Sequence, residues 1–71
     1  MKITSRINNK NQEVVICANP EQLEQLGKWL IIQANTMKSN SHYSHEHSKG
    51  NIANWHENWP DIIVYNPKNI I

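Results

Sequence analysis

Residues 2–7, Lys-Ile-Thr-Ser-Arg-Ile, alternate, with Ile3, Ser5 and Ile7 on one face and Lys2, Thr4 and Arg6 on the other. A period of two predicts a half-buried strand. Asn8-Asn9-Lys10-Asn11 follows, and asparagine tolerates positive φ, so a tight turn fits there. Residues 13–18, Glu-Val-Val-Ile-Cys-Ala, are apolar on both faces after Glu13, which predicts an inner strand hairpinned to the first and a buried Cys17. Asn19-Pro20-Glu21-Gln22 then carries the signals of a helix start. Asn19 can cap free backbone N–H groups, Pro20 loses no donor at the first helical position, and Gln22 can complete a capping box. Leu23, Leu26, Leu30, Ala34 and Met37 recur at helical spacing, so a helix is predicted over 20–37 with that stripe against a sheet. Gly27 lies on the same stripe and permits close approach.

Polarity changes after the helix. Residues 38–54 are Ser/Asn-rich and contain Ser41-His-Tyr-Ser-His-Glu-His-Ser48, where Tyr43, His45 and His47 would share one face of a third strand. Trp55 and Trp59, four apart, would lie on one side of a single turn that Pro60 ends. Asp61-Ile-Ile-Val-Tyr65 is the final strand, before Asn66-Pro67 and an apolar Ile70-Ile71 tail. The order β-β-α-β-β predicts a two-layer α+β domain over 1–71: an antiparallel sheet of about four strands covered on one face by a single helix.

Size and charge narrow the function. Seventy-one residues make one domain with a thin core, which disfavours a deep catalytic pocket. Seven Lys and Arg against six Asp and Glu leave a net charge of +1, without the basic footprint of a nucleic-acid binder. The lone Cys17 precludes an internal disulfide, and no apolar run approaches a membrane span of about 18 residues. The expectation is a soluble cytoplasmic protein that contacts neither nucleic acid nor membrane.

Two constellations stand out. His42, His45, His47 and His56, with Glu46, could offer zinc ligands, but no HExxH or CxxC spacing is present. Solvated imidazoles on a polar strand, or histidines at a protein interface, account for them as well. Glu46, Glu57 and Asp61 could pair with a histidine as base and orienter, yet no activated nucleophile or glycine-rich phosphate loop accompanies them. The sequence therefore predicts no enzyme and no cofactor. The other constellation is aromatic. On a helical wheel Trp29 and Ile32 fall off the core stripe, and with Trp55 and Trp59 they make a large apolar surface. Either they form an interaction site, or the 38–60 segment or the tail folds over them.

The order of features also resembles a small bacterial immunity-protein family of polymorphic toxin systems. The residues carrying the resemblance are Asn19-Pro20-Glu21-Gln22-Leu23, Leu26-Gly27-Lys28-Trp29-Leu30, His45-Glu46-His47, and Asp61 followed by Ile62-Ile63-Val64, spanning roughly residues 13–65. This chain departs from the family pattern in its longer Ser/Asn-rich stretch and in the Trp55–Trp59 pair. The resemblance implies a cytosolic inhibitor without catalysis, which binds a cognate toxin domain and blocks it. Trp29, Ile32, His45, His47, Trp55, His56, Glu57 and Trp59 are the expected partner contacts, and Trp55→Ala should cost about 2 kcal/mol or more of binding if it is a hot spot. A homodimeric adaptor using the same patch on itself, and a small histidine-based metal-binding module, are the rival readings.

Overall fold

Strand β1 (Lys2–Asn8) and strand β2 (Asn11–Cys17) pair antiparallel in the computed structural model, which describes residues 1–8 and 11–69. The expected turn at residues 9 and 10 and the Ile70-Ile71 tail lie outside the described residues. Helix α1 (Pro20–Ser39), strand β3 (His45–His47), strand β4 (Ile63–Tyr65) and a 3-10 turn at Pro67–Asn69 complete the order. The class is α+β, and the β-β-α-β-β order is as the pattern predicts. The sheet is not. The strands form two separate two-stranded antiparallel sheets, β1–β2 and β3–β4, in place of one sheet of about four strands. Accordingly β2 pairs with β1 alone among the described residues, and Cys17, expected in a buried inner strand, is exposed.

The hairpin register places Ile3 opposite Ile16, Ser5 opposite Val14 and Ile7 opposite Gln12. Directly opposed residues share a face, so Ile3, Ile7, Val14 and Ile16 lie together, with Ile7, Val14 and Ile16 exposed. On the other face Arg6 pairs with Glu13.

Helix α1 begins as its sequence demands. The Gln22 N–H donates to Asn19 Oδ1 at 2.9 Å, and the Asn19 N–H donates to Gln22 Oε1 at 2.9 Å. Two of the helix's unpaired donors are thus satisfied reciprocally. The far end closes with the Asn40 N–H donating to the Thr36 carbonyl at 2.9 Å.

The buried stripe of the helix differs from the expected one. Leu26, Trp29 and Gln33 are buried, whereas Leu23 and Leu30 remain 46% and 41% exposed and Ala34 is exposed. Trp29, expected on an outward flank, is only 5% exposed. The apolar residues of α1 run almost round the helix, so periodicity alone favours the leucine-rich side. Tertiary contacts choose the Trp29 side. Buried Tyr43, from the segment before β3, donates its hydroxyl proton to Gln33 Oε1 at 2.8 Å, and Asn51, Ile52 and Ala53 line a groove with Trp29. The helix is covered by turns where a sheet face was expected. The molecule measures 34 × 34 × 18 Å, thin enough that Leu26, Trp29 and Tyr43 are its only buried large apolar residues among those described.

Candidate functional site

Three-residue strands hold too few ladder bonds to be stable unaided. Side chains bracket β3–β4 at both ends. At one end buried Ser48 donates its backbone N–H to the Ile62 carbonyl at 2.8 Å, and its Oγ accepts the Ile62 N–H at 2.7 Å. At the other end the Asn66 N–H donates to the Ser44 carbonyl at 2.8 Å, and Asn66 Nδ2 donates to the Tyr43 carbonyl at 3.2 Å. Asn69 Nδ2 donates to the same carbonyl at 2.7 Å. Ser48 and Asn66 are therefore structural polar residues that the pattern of the sequence did not mark.

This frame presents one outward face. His45 opposes Tyr65 and His47 opposes Ile63, so the four side chains lie together, while half-buried Glu46 and Val64 occupy the other face. The His45 ring stacks on Tyr65 with centroids 5.0 Å apart and meets the His47 ring edge-on at 5.3 Å. Tyr43, expected beside the histidines, instead precedes the strand and is buried, and burial raises its pKa above the ordinary tyrosine value, with the Glu46 charge adding to the effect.

His47 is oriented from beside the strand. Its Nδ1 lies 2.6 Å from Asp61 Oδ2. An ionised carboxylate only accepts, so Nδ1 carries the proton in this bond. That bond holds the Asp61 carboxyl below the usual carboxylate range, against a smaller opposing effect of desolvation, and the Lys49 N–H at 3.1 Å supports it further. Asn51 Nδ2 donates to Glu46 Oε2 at 2.7 Å and to the His47 carbonyl at 2.8 Å. The chain reverses through Gly50 and Asn54, both at positive φ, which asparagine and glycine tolerate best.

A carboxylate-oriented imidazole could act as a base. Ser48 Oγ is committed to Ile62 and Asp61, and Cys17 belongs to the β1–β2 hairpin, so neither is placed as a nucleophile for it. Among the described residues no three His, Cys, Asp or Glu side chains converge as metal ligands.

Of the other expected contacts, Trp55, His56 and Trp59 form a second group. Trp55 and Trp59 meet edge to face at 5.3 Å, and His56 lies 5.9 Å from Trp59. Both indoles are half-buried, and Trp55 Nε1 donates to the Pro60 carbonyl at 3.0 Å, closing its own loop. His56 Nδ1 accepts the Asn58 N–H at 3.0 Å, while Glu57 is exposed. The rings do share one side, as their spacing predicts, but in a run of turns rather than a helical turn. Ile32 is 57% exposed. Trp29 is withdrawn from the expected contacts by its burial, and the structure adds Ile63 and Tyr65 beside His45 and His47. Only the β3–β4 register reveals those two, since nothing local links residue 45 to residue 65. No helix among the described residues is long and apolar enough to cross a membrane. No family model matches the chain, and neither does any curated protein or solved structure.

Proposed function

We propose that this chain acts by stoichiometric contact with another protein, as an immunity protein that binds and neutralises a cognate bacterial toxin domain in the cytosol without catalysis. One observation carries the reading. Nine large apolar side chains lie exposed among the described residues, against three in the core. Isolated exposed apolar residues are ordinary, but grouped ones mark contact surfaces. Here Ile63 and Tyr65 sit together beside His45 and His47 on a braced strand pair. A braced surface loses little conformational freedom on binding. Tyrosine is a frequent hot-spot residue, and the imidazoles supply a polar margin.

The test is co-expression with, and titration against, the variable C-terminal domain of a secreted protein encoded beside this chain. Protection of the host cell and a one-to-one complex are expected. Tyr65→Ala, at a residue 49% exposed, should weaken the complex by about 2 kcal/mol while leaving the far-UV spectrum unchanged. Unprotected cells and a flat titration would refute the proposal.

A further inference from the structure

We propose that α1 carries a self-association face, on which a second copy of this chain packs antiparallel. Leu23, Gly27, Leu30 and Ala34 fall within an arc of about 60° on the helix, roughly 100° round from the buried Leu26–Trp29–Gln33 stripe. Their spacing of four, three and four is the 3.5-residue repeat of a helix–helix seam. Leu23 and Leu30 are exposed, and Ile31 beside them is 64% exposed. A Cβ built on Gly27 would meet nothing within 4 Å, so the backbone is open to close approach along the middle of the seam.

The ends of the seam identify the occupant and its direction. At the C-terminal end Ala34, Met37 and Lys38 form an open groove with Asn66, Pro67 and Lys68. Two cations and an apolar floor suit a leucine with an acid next to it. Leu23-Glu24, at the opposite end of the same helix, is such a pair. Antiparallel packing with Leu30 and Ile31 near the two-fold axis brings Leu23 of each copy to the Met37 end of the other. Glu24 then faces Lys38 and Lys68. Glu24 already bonds Lys28 at 2.9 Å, so the added charges set direction and register more than strength. A 20-residue helix is about 30 Å long, and a single-helix seam is a small interface, which places the dimer among weak, reversible associations. The seam belongs to α1, apart from the His45–Tyr65 face, and it stands whether or not toxin binding does.

Analytical ultracentrifugation of the full chain from about 5 to about 500 µM, spanning the range of weak interfaces, tests the proposal. A reversible monomer–dimer equilibrium is expected. Leu30→Glu should raise its dissociation constant at least about tenfold, and Ile32→Glu, on the opposite side of the helix, should not. In a Cys17→Ser background Leu30→Cys should cross-link on mild oxidation. Leu23→Cys should not, because seven residues from the axis separates the two copies by about 21 Å. A monomer at every concentration overturns the proposal, as does a dimer indifferent to Leu30→Glu. Equal cross-linking through positions 23 and 30 overturns the antiparallel arrangement. A chain that binds a toxin domain but stays monomeric refutes this inference and leaves the proposed function standing.

Discussion

Trp29 is the sharpest test of which side of α1 faces inward. An indole buries about 150–250 Å², worth about 4–6 kcal/mol at about 25 cal/mol per Å². Its Nε1 is buried with no hydrogen-bond partner among the described residues. An unsatisfied donor of that kind costs about 1–3 kcal/mol. Trp29→Ala loses the area and leaves a cavity beside Ile52 and Ala53, so a loss of about 3–5 kcal/mol is expected. A domain of this size has about that much stability in total, so the alanine variant should be largely unfolded at 25 °C. Trp29→Phe keeps most of the apolar area and deletes the unpaired donor, so it should stay within about 1 kcal/mol of the parent. Urea denaturation followed by far-UV circular dichroism measures both, free of the fluorescence of Trp55 and Trp59. Ile32→Ala, at an exposed position, serves as the control, with an effect within about 0.5 kcal/mol. A neutral Trp29→Ala would return the indole to the surface and refute the packing described. A Trp29→Phe loss as large as that of Trp29→Ala would show that Nε1 is satisfied after all.

The remaining predictions concern the two ends of the hydrogen-bond network. Asn19→Ala removes one bond of the capping box directly and should cost about 1 kcal/mol in the same denaturation assay, with Asn19→Asp nearly neutral. Asp61 has a folded-state pKa below its unfolded value, so its contribution is present above the unfolded pKa of about 4 and is lost as pH falls through the lower folded value. Replacing it by Asp61→Asn should therefore flatten the acid limb of the stability profile in that window. An unchanged acid limb would mean that the His47–Asp61 bond is not formed in solution.

The local elements were legible because their bonds are local. The capping box joins residues 19 and 22, and the β1–β2 register pairs segments adjacent in the chain, so sequence alone announced a helix starting at Pro20 and a hairpin before it. The face that α1 buries was not legible. Leucine, isoleucine and tryptophan surround much of the helix between residues 23 and 32, and two different stripes satisfy the same period. What chose between them is a bond ten residues away, from the Tyr43 hydroxyl to Gln33, together with turns at 51–53 that cover Trp29. The same holds for the histidine face. His45 and His47 announced themselves by spacing, but the Tyr65 stack and the Asp61 bond bring together residues 20 and 14 positions apart. Strand pairing at that separation is decided by the closure of the intervening chain and by the buried Ser48 and Asn66 that hold it closed, and a hydrophobic pattern carries no record of either.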